Sequence, residues 1–102
     1  MNVYYPYPAN DNKHKYYVIT PTGKKIYFGA YGYNDYTTYY KTYGKKIADE
    51  RKILYLKRHS NENWGKSNIN SAAFFSRWLL WHKPTIEASY NDIKKRFLKN
   101  YI

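Results

Sequence analysis

The chain has 102 residues and a mass of 12.4 kDa, which is room for one domain. It carries 18 Lys and Arg against 7 Asp and Glu, a formal net charge of +11, and 22% of it is aromatic, with 15 Tyr. The aromatic content excludes a wholly disordered basic tail; the lack of an apolar run of about 18 residues excludes a transmembrane helix; the absence of cysteine excludes disulfides, thiol catalysis and cysteine-bound metal centres.

The opening Met1-Asn2-Val3-Tyr4-Tyr5-Pro6 has no basic region followed by an apolar run. No secretory signal is expected, and the chain reads as an intracellular domain. Residues 1–12 hold Pro6 and Pro8 and read as an extended, irregular arm with its tyrosines pointing outward. Lys15 to Phe28 reads as a β-hairpin. Tyr16-Tyr17-Val18-Ile19-Thr20 suits a pleated surface, Thr20-Pro21-Thr22-Gly23 supplies the turn, and Lys24-Lys25-Ile26-Tyr27-Phe28 returns. A lone hairpin is marginal in water, so it must pack on helices or another strand.

Tyr33 to Gly44 is rich in Tyr and Thr and reads either as a third strand or as a long loop. Ile47 to His59 predicts a helix with Ile47, Leu54 and Tyr55 facing inward, acidic Asp49-Glu50 early and Lys57-Arg58-His59 late, as the helix dipole favours. Ser60 to Asn70 is a polar loop anchored by Trp64. Ser71 to His82 predicts a central core helix capped by Asn70 or Ser71. Phe74, Trp78 and Trp81 follow helical spacing there, and so do Phe75, Leu79 and His82. Pro84 ends that helix. Thr85 caps a last one, whose stripe is Ile86, Tyr90, Ile93 and Phe97. The expected fold is α+β: one domain over 1–102, an N-terminal β-hairpin packed on about three α-helices. Its expected core is Phe75, Trp78, Leu79, Ile86, Tyr90, Ile93 and Phe97 against Val18, Ile26 and Phe28.

The charge surplus is spread evenly, +3 over residues 1–44 and +4 over each of 45–68 and 69–102. A domain this basic repels itself unless an anionic partner neutralises it, and nucleic acid is the commonest such partner. Lys13, Lys15, Lys24 and Lys25 lie at the two ends of the hairpin; Lys94, Lys95, Arg96 and Lys99 form a basic helix end. Together they are the candidate contacts for phosphates or an acidic partner. Twelve of the 15 tyrosines fall within residues 1–43, more than a small core is expected to absorb. Tyr4, Tyr5, Tyr7, Tyr36, Tyr39, Tyr40 and Tyr43 are therefore candidate interface residues.

Catalytic signals are thin. The acidic residues form no recognisable pair, His14 and His59 sit among basic neighbours that imply exposure, and His82 at a helix end suits a dipole partner. Gly29-x-x-Gly32 lacks the Gly-Lys-Ser/Thr ending of a phosphate loop. No metal and no cofactor is expected. Tyr16-Tyr17-Val18 followed by Tyr27-Phe28-Gly29 faintly resembles the paired strand motifs of GIY-YIG nucleases, without the first motif's Gly and Ile. Such a nuclease would need Arg51 and Glu87 as its helix-borne Arg and metal-binding Glu.

A broader resemblance rests on Lys13-His14-Lys15-Tyr16, Gly23 to Ala30, Gly32 to Thr37, Glu50-Arg51-Lys52, Tyr55 to His59, Glu62-Asn63-Trp64 and Phe75 to Pro84. Over roughly residues 13–97 the chain resembles a small basic protein family of large nucleocytoplasmic DNA viruses; Ser76-Arg77-Trp78-Leu79-Leu80-Trp81 is the most specific block. The chain departs from that pattern around Thr38 to Ile47, where the family has a short His-Lys-Asp stretch. The resemblance implies a viral setting rather than a mechanism. The expectation is a non-enzymatic structural component of the virion, a minor capsid protein, present in host cytoplasm or nucleus during assembly. Its partners would be other capsid proteins or viral DNA, with no small-molecule substrate. A sequence-independent DNA-binding or packaging protein is the alternative, and the nuclease comes third.

Overall fold

The computed structural model describes residues 3–99, so Met1 and Asn2 of the expected arm and residues 100–102 of the expected domain lie outside the described residues. Within that range the expected hairpin forms, and a third strand joins it. Strands β1 (Tyr7–Pro8), β2 (His14–Ile19) and β3 (Lys25–Ala30) make one antiparallel sheet in that order. The turn is the predicted one: the Gly23 amide donates to the Thr20 carbonyl at 2.9 Å, and the Lys24 amide donates to Thr20 Oγ1 at 3.1 Å. Tyr16 stands opposite Phe28, Tyr17 opposite Tyr27 and Val18 opposite Ile26. Val18, Ile26 and Phe28 are buried, so this register turns alternate residues into the core.

The N-terminal arm is not an outward-facing appendage. Tyr7 pairs with Tyr17 and Pro8 with Tyr16, which makes the arm an edge strand, where Pro is tolerated. Val3 is buried and Tyr4 is only 1% exposed. The Tyr4 amide donates to the Ile19 carbonyl at 3.1 Å, its hydroxyl donates to Asn70 Oδ1 at 2.7 Å, and its ring packs 5.4 Å from that of Phe75. Tyr4 also has a φ of 59°, a left-handed conformation that costs about 1–2 kcal/mol and is offset here by those contacts. The Tyr90 hydroxyl clamps the arm from the far end of the chain by donating to the Val3 carbonyl at 2.8 Å.

The segment read as strand or loop is a helix, α1 (Tyr36–Tyr43). Its Tyr and Thr residues favour strands, but its ends override them. Asp35 accepts from the Thr38 amide while Thr38 Oγ1 accepts from the Asp35 amide, a complete capping box. Gly44, at φ 90°, ends α1 and lets α2 (Lys45–Arg58) leave in a new direction. That turn sets which face of α2 is buried. Ala48 and Tyr55 point inward, whereas Ile47, Ile53 and Leu54 are 37%, 54% and 48% exposed. The inward stripe reads Ala48, Lys52, Tyr55, His59, which no hydropathy pattern marks as apolar.

Helix α3 (Ala72–Phe75), capped by Ser71, continues into a π-helical turn at Ser76–Leu80 closed by the Trp81 amide donating to the Ser76 carbonyl at 3.2 Å. The wider turn breaks the expected spacing. Leu79, Leu80, Trp81 and His82 are buried in succession, and Trp78 is only half-buried. Thr85 caps α4 (Ile86–Phe97), whose stripe is as expected: Tyr90 and Ile93 are buried, and Ile86 and Phe97 pack against the core. The described residues thus form a compact α+β domain of three strands and four α-helices, one more helix than the sequence predicts. Replacing Tyr4 with Ala should lower unfolding free energy by about 3 kcal/mol or more, the range for buried aromatics. An unchanged denaturation midpoint for that variant would remove Tyr4 from the core.

Candidate nucleic-acid interface

The eight candidate cations separate into free, structural and partly engaged groups. Lys13, Lys24, Lys25, Lys95 and Lys99 are exposed. Lys15 is not available to a partner: its ammonium lies 2.6 Å from Asp35 Oδ2, with the two side chains 15% and 4% exposed. Asp35 is also the α1 cap, so this pair ties the helix start to β2. Arg96 donates through Nε to Asp92 at 2.7 Å, and Lys94 is half-buried with its ammonium 5.1 Å above the Tyr90 ring.

Five of the seven carboxylates are held by basic side chains: Asp11 by His14, Asp35 by Lys15, Asp49 by Lys45, Glu62 by His59, and Asp92 by His82 and Arg96. Their pKa values respond. The His14 side chain and the backbone amides of Lys13 and His14 hold the exposed Asp11 well below the usual carboxylate range. The Lys45 ammonium and Tyr36 hydroxyl do the same to Asp49, while burial and the Asp49 hydrogen bond push Tyr36 up to about 12. Most of the negative charge is thus paired within the chain, although only Asp35 is buried, and most of the positive charge is left without an ionic partner.

The candidate interface tyrosines divide in the same way. Tyr4 and Tyr36 are buried core residues, which removes them as surface contacts. Tyr5, Tyr39 and Tyr40 are half-buried and packed against the core, Tyr7 is half-buried away from it, and Tyr43 is 60% exposed. Sequence reading names Tyr7 but misses Tyr17 and Tyr27, which stand beside it on one face of the sheet with Lys25. Tyr7, Tyr17 and Tyr27 stand in one cross-strand row, with ring centroids 5.6 and 5.4 Å apart. None of the three packs on the core cluster. Lys25 lies 4.9 Å above the Tyr17 ring. Tyr5 continues the row through Tyr7 to Tyr90, where Lys94 sits, and His14 continues it beyond Tyr27. The missed signal is the alternation itself: Tyr17 and Tyr27 flank the inward residues Val18, Ile26 and Phe28 in the chain.

No family model matches the chain, and neither a curated protein nor a solved structure matches it.

Elsewhere the chemistry is largely self-contained. A cleft of about 420 Å³ between the hairpin and α2 contains Lys15, Asp35, His59 and Glu62, which pair with one another. Among the described residues no three His, Asp or Glu gather to hold a metal ion, and no helix is long and apolar enough to cross a membrane. Arg51 lies over the Tyr39 ring and Glu87 faces the Tyr5 hydroxyl, while Tyr17 and Tyr27 face each other on the sheet.

The Ser76-to-Trp81 block is occupied in holding the fold. The Arg77 guanidinium lies 4.3 Å from the Trp78 ring centre and donates to the Trp81 carbonyl; Lys52 donates to the His82 carbonyl at 2.9 Å. His82 is buried instead of flanking a helix end in solvent. Its Nε2 lies 2.5 Å from Asp92 Oδ2, and its Nδ1 has no hydrogen-bond partner. Burial pushes the His82 pKa below its ordinary 6.5, with Asp92 opposing and the Arg77 and Lys83 charges assisting. Protonation would create a buried, unpaired Nδ1–H.

Two measurements follow from these pairs. Lys15→Ala should cost about 3–5 kcal/mol by stranding the buried Asp35, whereas Lys25→Ala should stay within about 0.5 kcal/mol. Equal denaturation midpoints for both would show the Lys15 pair to be dispensable. In the second, unfolded His82 takes up its proton first, so its contribution is complete above about pH 6.5 and is lost as the pH falls toward the lower folded-state pKa. The melting temperature should therefore drop as the pH falls below about 6.5, and His82→Gln, which keeps a donor to Asp92, should flatten that drop. A flat wild-type profile there would contradict the assignment.

Proposed function

We propose that this protein is a non-enzymatic, sequence-independent nucleic-acid-binding component of a large DNA virus particle. The observation that carries the reading is the division of charge: five of the seven carboxylates are paired with basic side chains, while Lys13, Lys24, Lys25, Lys95 and Lys99 are exposed. Exposed lysines neutralise phosphates without reading bases. The viral setting rests on the sequence resemblance. Most of the candidate interface tyrosines, which would suit burial against a capsid protein, are spent within the fold, and this moves the weight from the shell toward the genome.

The shell reading keeps one supporting observation. Tyr43, Ile47, Ile53 and Leu54 leave an exposed apolar surface on the α1–α2 hairpin, interspersed with Lys46 and Arg51. Such a surface would suit an acidic capsomer.

Affinity for random-sequence DNA, measured over a salt series, tests the leading reading. Binding should weaken steeply with salt, and replacing Lys13, Lys24 and Lys25 together by Ala should flatten the slope by about two to three contacts. Absence of binding at low salt overturns the nucleic-acid reading. Fractionating purified particles then gives the second check, with the protein expected in the genome core rather than the shell.

A further inference from the structure

Resting on that nucleic-acid reading, we propose that the outer sheet face is a stacking platform for single-stranded nucleic acid, with Tyr7, Tyr17 and Tyr27 receiving bases and Lys25 a phosphate. Four observations converge. The three rings occupy one row across all three strands, fixed by the Tyr7–Tyr17 and Tyr17–Tyr27 register. They lie off the core cluster, on the face of the sheet turned away from it, where their cross-strand pairing adds only weakly to stability. Successive rings are tilted by 33° and 42°, so each presents its own surface beside its neighbour's. Cations flank the row: Lys25 over Tyr17, Lys24 exposed at the turn beside it, and Lys94 over Tyr90 at the end reached through Tyr5.

The alternative uses of such a face fit less well. Duplex DNA hides its base faces, so aromatic rings add little to a purely electrostatic grip. A strand from another protein would add to a sheet edge, β1 or β3, through backbone hydrogen bonds, and would leave the rings on this face unused. An unpaired strand offers what the surface complements: base faces for tyrosine rings and phosphates for lysines. Stacking is sequence-tolerant because every base has a π-face. The two carboxylates near the ends of the row are already engaged, Asp11 by His14 and Glu87 facing the Tyr5 hydroxyl at 3.5 Å, so they leave the central rings clear.

The test compares fluorescently labelled oligothymidine with a random duplex of the same length, binding to the full chain at low and moderate salt. The single strand should bind more tightly. Tyr17→Ser and Tyr27→Ser should each weaken it by about five- to hundredfold while leaving duplex affinity unchanged, and Tyr27→Phe should retain it. Tyr33→Ser, at an exposed tyrosine off the row, serves as the control and should change neither affinity. Melting curves of the variants separate lost binding from lost fold; Tyr27 is the decisive position because its side chain is outside the core. Equal single-strand and duplex affinity, with both Ser variants unaffected, overturns the platform and leaves the nucleic-acid reading standing. No binding to either probe at low salt overturns both.

Discussion

Two adjacent phenylalanines must be buried in opposite directions, and the rest of the fold is arranged around that requirement. Phe74 and Phe75 are fully buried on a helix of only four residues. Phe75 packs against Phe28 of the sheet and Tyr4 of the arm, while Phe74 packs against Phe97 of α4. The short helix is therefore the middle layer, with the sheet on one side and α4 on the other. An ordinary helix continuing from it would expose Leu80 or Trp81 on its outer side. The π-helical turn instead delivers Leu79 through His82 to the interior, and Trp81 then stacks on Tyr55 at 4.5 Å to collect the α1–α2 hairpin. Gly29 belongs to the same constraint: at φ 77°, a Cβ there would lie 2.7 Å from the Leu80 side chain, so the sheet approaches this turn only with glycine at that position.

What was legible in the sequence is what short-range chemistry determines. The Thr20-to-Gly23 turn, the caps at Ser71 and Thr85 and the stripe of α4 each depend on neighbours within a few residues, and each stands as expected. What was not legible depends on distant partners. The Tyr- and Thr-rich stretch after Asn34 is helical because Asp35 closes a capping box and is itself held by Lys15, twenty residues earlier. Helix α2 buries Ala48 and Tyr55, with Lys52 and His59 half-buried on the same side, in place of Ile47 and Leu54 because an aromatic stack on Trp81, not hydropathy, orients it. The arm lies inward because Tyr90 and Asn70 reach back to it from the other end of the chain.

The candidate site was partly legible for the same reason. Counting lysines found the charge but could not tell Lys15, paired with the buried Asp35, from Lys25, exposed at the start of β3. Counting tyrosines found the excess but could not sort inward from outward. Tyr4 and Tyr36 fill the interior, Tyr43 is exposed, and the outward row joins Tyr7 to Tyr17 and Tyr27 in strands that looked fully committed to the hairpin. Position in a register, which needs strand pairing to be known, decides between the two fates.

Tyrosine solves a conflict that phenylalanine would leave open. Inside, its hydroxyl finds a partner: Tyr4 donates to Asn70, Tyr36 to Asp49 and Tyr90 to the Val3 carbonyl, so burial leaves no orphaned polar group at those positions. Outside, the same ring on a sheet face remains wettable through its hydroxyl, whereas a row of phenylalanines there would be an aggregation surface. A net charge of +11 adds mutual repulsion between copies of the chain. These features oppose self-association through an aromatic row that is half-exposed to water. The row persists at little cost to folding, because the larger apolar contacts of the sheet lie on its other face and the rings support one another across the strands.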